Sequence, residues 1–597
     1  MAEMEKNSIS NILFYIRKAL FSIPKIPMGM LFVSICLAVV LWISVLPVEQ
    51  SWTSSYAILA YLPIPFAIAG TILGVIGKKR LRFSAIDTIV VVWFVYAMGR
   101  AWLDNQYPCS GFVLNTLIIF ELYCCLRLLF SASRPHDHVI PFFVVTCATY
   151  EAIIGISQLI QGHSLHSRYL LTGTFFNPGP YSAYIMMGLI LAVGLYQKMS
   201  TRLIRGKWNA GIVVVPALYL FAILLPSTWS RSAILSAGVC LLIIFWHKIG
   251  KWRWIILLAC LALGIGAYFM KQGSADGRGA IYYLSLLCII KHPLIGSGIG
   301  SFFHQIAERT AELSSSGVDD MLRSVDALDY AFNALLQVGV EQGLIGMLLA
   351  ISLFLLALRR LMKRQSVLTY GLLALVLFSM FSYPFGLLPY QIILAIMLAY
   401  AATDTDTAES VTTRQRIAAW SRLTVVLIGV CGMATITTPR AHERISAFRA
   451  YHSLTWYKAE DALAQCRDLL PELADQKRFL FYYGKQLSAA GRYNESNYIL
   501  RQGALTSNDP MFYVVQGNNY REMKAYDEAE EAYRKAYRIM PNRLYPLYQL
   551  MLLYQKTGNE EKMKRMAEEV LSFEVKIASP ATHDIKNTAR EILHRQQ

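Results

Sequence analysis

The chain has 597 residues, 55% of them hydrophobic and only 16% charged, with a formal net charge of +17. This balance excludes an ordinary soluble domain and a disordered chain, and it points to a polytopic membrane protein. The basic excess lies mainly in loops between apolar runs, so it reads as a topology and anionic-lipid signal, with membrane lipids as partners and no nucleic acid expected.

Residues 1–27 are polar and basic and carry an amphipathic stretch, ISNILFYIRKALFSI, which suits the cytoplasmic membrane surface. Apolar runs of about 20 residues then recur near 28–47, 56–77, 84–103, 111–130, 139–160, 180–197, 210–226, 232–247, 253–270, 342–358, 368–384, 386–402 and 422–437. The prediction is an all-α membrane domain over 28–438 with about thirteen spans. With the N-terminus inside, alternate loops carry Lys78, Lys79, Arg80 and Arg82, then Arg127 and Arg134, then Lys198, Arg202, Arg205 and Lys207. Lys248, Lys251 and Arg253 follow, and then Arg359, Arg360, Lys363 and Arg364. The intervening loops are poor in basic residues. This pattern puts the large loop 271–341 and everything from 439 onward outside the cytoplasm.

The 10 cysteines fall mainly within spans and show neither CxxC nor Cys/His metal spacing, so no disulfide framework, metal or cofactor is predicted.

Three polar, Gly/Pro-broken segments share the non-cytoplasmic side: GTFFNPGPYSAY (173–184), STWSRSA (227–233) and DYAFNALLQVGVEQGLIG (329–346). Such backbone is tolerated at membrane depth where it is buried in protein or lines a cavity, which makes all three candidate binding segments. Asn177 sits before Pro178, Gly179 and Pro180; its amide suits a sugar or phosphate oxygen, or a turn cap. Arg231 stands at the mouth of a span on a side otherwise poor in cations, and Arg278 lies in the large loop. Both suit an anionic ligand, with snorkelling at the interface as the alternative. Asn333 and Gln337 are one helical turn apart beside Glu341, a polar stripe that suits a glycan cavity or the satisfaction of backbone at a re-entering loop. The large loop also holds HPLIGSGIGSFFHQ (292–305), rich in turn residues, and the lid-like SSSGVDD.

From 477 onward the tail is self-similar at a period of about 34, the spacing of tetratricopeptide repeats. In the clearest copy Tyr513, Gly517, Tyr520, Ala529, Tyr533, Ala536 and Pro541 take the packing positions, and Gly491 and Gly558 mark turns in the flanking copies. Residues 439–597 are therefore expected to form an α-solenoid. Its surface is either structural or a site for a protein partner.

GTFFNPGPYSAY, Ser230-Arg231, GRGAIYY (277–283), HPLIGSGIGSF (292–302) and FNALLQVGVEQGLIG (332–346), in this order and on one side, resemble the O-antigen ligase and polymerase superfamily, which includes bacterial protein O-oligosaccharyltransferases. The resemblance covers roughly residues 28–402, and a tetratricopeptide tail is similar to the architecture of some members. It implies a metal-independent, GT-C-like glycosyltransferase of the bacterial inner membrane with a periplasmic active site. Such an enzyme moves a glycan from undecaprenyl diphosphate to a lipid A core, a second glycan or a protein, without a cofactor. Arg231 and Arg278 would clamp the diphosphate, while Asn177, Asn333 and Gln337 would line the substrate site.

One departure stands out: many ligases of this family carry His before the last-motif Asn, and here that position is Phe332. Glu341, Asp329 and His304 are the substitute bases. A transporter of the same lipid and a noncatalytic scaffold are the readings from other classes. The lack of internal duplication and the one-sided loop favour the enzyme over the transporter.

Overall fold

The computed structural model describes residues 28–46, 54–76, 81–104, 106–164, 166, 169–203, 211–255, 258, 262, 272–317, 320–328, 330–404, 413–454, 459–576 and 578–594. Among them there is no β-strand, and the chain is all-α. The first helices are α1 (Met28–Ile43), α2 (Ser54–Tyr61), α3 (Pro63–Ile76), α4 (Ala85–Leu103), α5 (Ser110–Ala132), α6 (Val139–Gln161), α7 (Pro178–Leu203), α8 (Gly211–Ser227) and α9 (Arg231–Ile249). The predicted large loop is itself helical, with α10 (Gln272–Lys291), α11 (Phe302–Ser316) and the short α12 (Asp320–Arg323). Apolar helices resume as α13 (Ala334–Lys363), α14 (Leu368–Ser379), α15 (Leu388–Ala402) and α16 (Thr413–Ser453).

Among the described residues, 8 helical segments are long and apolar enough to cross a membrane, while α1, α8, α14 and α15 are apolar but shorter. Each predicted span has a helix, except that most of 253–270 lies outside the described residues. Helix α16 runs well past the predicted end of its span and carries the chain into the tail. At the centre is α7, 89% of whose apolar window is buried, against 17% for α4. Tyr181 and Tyr184 on α7 are fully buried, and the Tyr184 hydroxyl meets Ser44 Oγ at 2.7 Å. Helices α6, α8, α9 and α14 surround α7.

Helix α13 is broken rather than continuous. Gly343 adopts φ 67° and ψ −165°, which releases the backbone groups on either side from their helical partners. The 293–298 segment takes them up: Ser297 N donates to Val340 O at 2.7 Å and Gly298 N to Glu341 O at 3.1 Å, while Leu344 N donates to Pro293 O at 2.8 Å and Ile345 N to Leu294 O at 3.2 Å. Buried backbone must be paired, so each segment completes the other. The approach leaves no room for side chains, since a Cβ on Gly296 would lie 2.5 Å from Gln342 N and one on Gly343 2.4 Å from Leu294 O. The glycines of the HPLIGSG and VEQGLIG segments are thus two halves of one junction. Helix α4 braces it through Trp93 Nε1, which donates to Gln342 Oε1 at 2.8 Å, and the Tyr96 hydroxyl, which donates to Gln342 O at 2.7 Å.

The tail continues through α17 (Ala459–Leu473) into helical pairs: α18 (Lys477–Ala489) with α19 (Tyr493–Ala504), α20 (Met511–Glu522) with α21 (Tyr526–Ile539), and α22 (Tyr545–Thr557) with α23 (Glu560–Ser572). A final helix, α24 (Pro580–His594), packs on α23. Each pair turns through one left-handed residue, Gly491, Lys524 and Gly558 in order. Close crossings explain two more glycines, because a Cβ on Gly484 would meet Leu500 at 2.6 Å and one on Gly517 would meet Tyr533 at 2.5 Å. The tail is fixed to the membrane helices by a buried ion pair, Arg444 Nη2 to Asp475 Oδ1 at 2.6 Å, whose second carboxylate oxygen accepts from Gly111 N at 2.6 Å.

Gly343→Ala forces a side chain into a left-handed position against backbone and should lower stability by about 1–3 kcal/mol. Gly99→Ala, at a helical position with nothing within 4 Å, should be neutral or slightly stabilising. Thermal unfolding in detergent measures both, and equal transitions would contradict the junction. The tail also grips the large loop, which requires the two to share one side of the membrane. An impermeant maleimide should therefore label Ser315→Cys and Asn494→Cys, both exposed, under the same conditions in a cysteine-free background. Labelling of one only after inner-membrane lysis would contradict that arrangement.

Candidate functional site

Arg231 is the first residue of α9, preceded by a tight turn in which Thr228 N and Trp229 N donate to Leu225 O and Pro226 O at 3.3 and 3.1 Å. Trp229 has φ 52°, a strained conformation for a bulky residue, and its side chain is 68% exposed. Ser230 makes no side-chain cap to the first turn of α9, the end of a helix that attracts negative charge.

Arg278, on α10, is close enough to Arg231 for the two charges to interact. Burial first, and the like charge of Arg231 with it, hold the Arg278 guanidinium below its ordinary value, against the opposing influence of Tyr282 and Tyr383. Its guanidinium lies over the Phe332 ring, 5.2 Å from the centroid. A neutral aromatic face at this position stabilises the cation, whereas a protonated imidazole would repel it. Phe332 itself has φ 55° and is fixed by Tyr282, whose hydroxyl donates to Phe332 O at 3.2 Å and Met380 O at 2.9 Å.

From Phe332 a run of rings crosses the site. Phe332 meets Tyr383 edge-on at 5.5 Å, Tyr383 stacks on Tyr330 at 3.8 Å, and Tyr330 faces Phe176 at 6.3 Å. Thus the three polar segments and α10 converge. Asn177, next to Phe176, accepts from Gly179 N through Oδ1 at 2.9 Å in a local turn. The segment ahead of it is held from α6, where Gln158 Oε1 accepts from Thr172 N and Gly173 N at 2.9 and 2.8 Å and Glu151 accepts from Thr174 N at 3.0 Å and Thr174 Oγ1 at 2.6 Å. Asn333 caps α13 by accepting from Leu336 N at 3.0 Å, and its Nδ2 donates to Met380 O at 3.1 Å.

Gln337 and Glu341 lie farther down α13, about 6 and 12 Å along the axis from Asn333. Gln337 Nε2 donates to Glu341 Oε1 at 3.3 Å, and the Glu341 carboxylate, only 5% exposed, faces the Gly300 and Phe302 amides. Glu341 therefore holds the start of α11 to the junction. His304 lies at the contact with the tail, where Nδ1 meets Ala504 O at 3.1 Å and the ring packs on Tyr107; burial pushes its imidazole down. Asp329 lies outside the described residues. Tyr282, Tyr330, Tyr383 and Trp229 escape a sequence reading because nothing in their spacing distinguishes them from packing aromatics. Glu151 and Gln158 left a fainter signal, as polar residues one face apart in an apolar span.

The outward face of α10 is apolar and exposed through Tyr283, Leu286 and Ile290, and continues into Leu294 and Ile295. The two arginines thus adjoin a surface suited to lipid. Among the described residues, no group of His, Cys, Asp and Glu is arranged to hold a metal ion.

No curated protein matches the chain. Residues 216–351, the stretch that holds Arg231, Arg278, Phe332 and Asn333, match the O-antigen ligase family model, Wzy_C, and in that stretch the chain is similar to O-antigen ligases.

Proposed function

We propose that the protein is an inner-membrane glycan transferase that moves a glycan from undecaprenyl diphosphate to a periplasmic acceptor hydroxyl, in the manner of an O-antigen ligase. The observation that carries this reading is Arg278, set over the Phe332 ring and within electrostatic reach of Arg231, on a helix whose outer face is exposed and apolar. Two guanidinium groups and the first-turn amides of α9 suit a diphosphate, and the outer face of α10 suits the prenyl chain attached to it. The acceptor oxygen attacks the anomeric carbon, the bond from that carbon to the diphosphate oxygen breaks, and the departing negative charge stays with the arginines. The hydroxyl proton passes to a base, for which Asp329 is the proposed residue because it directly precedes the Tyr330–Asn333 segment in sequence. Glu341 and His304 are proposed as supports. Asn177 and Asn333 are proposed to align sugar hydroxyls, with Gln337 lining the deeper end.

Polymerase and protein-transferase activities differ from this reading only in acceptor. A tetratricopeptide-like tail, if it also receives a protein partner, would favour the last. A strain lacking the gene separates them. Accumulated, unattached lipid-linked polymer supports the ligase, a single core-linked repeat the polymerase, and loss of glycoprotein alone the protein transferase. Unchanged glycans would contradict all three.

Arg231→Ala should abolish transfer in protein that remains inserted and abundant, because a charge-assisted contact to the leaving group contributes about 1.5–3 kcal/mol or more. Arg231→Lys should recover part of the rate, since a point charge lacks the planar fork. Full activity in the alanine variant would reduce Arg231 to an interfacial anchor. Asp329→Asn should lower turnover by a factor of about 10² to 10⁴ with donor affinity unchanged. An unaltered rate would leave activation of the donor as the whole of the chemistry.

A further inference from the structure

Residues 325–328, beyond α12, carry no regular secondary structure, and their backbone is paired largely by the tail. Asn508, 2% exposed, grips it with both ends of its amide: Oδ1 accepts from Leu328 N at 2.8 Å and Nδ2 donates to Asp326 O at 3.1 Å. Asn542 Nδ2 reaches Arg323 O and Val325 O, each at 2.9 Å, and Lys477 Nζ donates to Leu328 O at 2.7 Å. Lys576 Nζ meets Asp326 Oδ2 at 2.6 Å. Val325 and Leu328 are buried beneath, so these backbone groups would be costly to leave unpaired. Tyr330, Phe332 and Asn333 follow at once, and Phe332 carries the face on which Arg278 rests.

We infer that Asn508, Asn542 and Lys477 of the tail are positioning residues for the site, holding residues 323–328 so that Phe332 and Asn333 stand against Arg278 and the acceptor path. The inference rests on the proposed glycan transfer. Within that reading, the tail is a working part of the site as well as a surface for partners. The amide of asparagine matches a peptide edge in both donor and acceptor, which neither leucine nor aspartate reproduces. A shift of about 1 Å in Asn333 is enough to cost a large part of the rate.

The test uses the full-length protein in nanodiscs and reads two quantities. The first is the rate at which a maleimide labels Ala331→Cys, a position 3% exposed in the native arrangement, in a cysteine-free background. The second is kcat and KM for transfer from a lipid-diphosphate-linked glycan, with donor Kd measured separately. Asn508→Ala with Asn542→Ala should raise labelling about tenfold and lower kcat about tenfold or more, with donor Kd unchanged. Asn508→Asp, which keeps only the acceptor half of the grip, should fall between. Lys477→Met removes the hydrogen bond to Leu328 O along with the ammonium's contact to the Phe303 ring, and serves if the double variant does not fold, with the same two effects in smaller degree. Unchanged labelling and unchanged kcat in folded protein overturn the inference, and so does increased labelling with full kcat. A lost donor Kd would show a general structural role instead and would also overturn it. Failure of the transferase reading is seen separately, as a wild-type chain that does not turn over while the labelling contrast persists.

Discussion

Two like charges within electrostatic reach of each other, both half-buried, set the terms for everything around them. Burial holds the Arg278 guanidinium below its ordinary value, and the like charge of Arg231 adds to that cost. A protein tolerates that arrangement where something offsets it. Here the offset is the π face of Phe332 beneath the Arg278 guanidinium, with Tyr282 and Tyr383 acting in the same direction. Phe332, at the position where the resemblance to O-antigen ligases implies a histidine, fits the same balance. A side chain that can become cationic would add a third positive charge, whereas phenylalanine receives one.

Three devices hold the pair in place. The break at Gly343 lets the 293–298 segment plug into α13, fixing α10 and α13 to each other and so setting Arg278 against the end of α13. Glu151 and Gln158 on α6 bind the backbone ahead of Asn177. The tail, locked to α5 and α16 by Arg444 and Asp475, saturates the backbone that leads into Tyr330. Each device pairs buried backbone groups with a partner distant in sequence, which makes the site rigid without placing it on a single element.

The parts of this arrangement that were legible in sequence are those governed by local periodicity. Apolar runs gave the helices, and the order of the polar segments singled out Arg231, Arg278, Asn177 and Asn333. The i, i+4 relation of Gln337 and Glu341 emerged as a hydrogen bond. What could not be read was pairing. Nothing in HPLIGSG announces that its glycines clear space for VEQGLIG, nor that Glu341 turns to the Gly300 and Phe302 amides while the arginines meet elsewhere. His304, a candidate base in the sequence, has its partner, Ala504 O, in the tail, which no local pattern reveals. Helix α10 lies within the predicted external loop, where Ser274, Asp276 and Arg278 interrupt its apolar sequence, while its outer face is exposed and apolar through Tyr283, Leu286 and Ile290.

The central claim is that the arginine pair recognises a lipid-linked diphosphate. Its most direct measurement is the affinity of purified protein in nanodiscs for undecaprenyl diphosphate against undecaprenyl monophosphate, in the wild type, Arg231→Ala and Arg278→Ala. The account predicts a preference for the diphosphate of about tenfold or more that each alanine variant removes, leaving the weaker monophosphate binding nearly unchanged. Equal affinity for the two lipids in the wild type, or a preference that survives both substitutions, would contradict it.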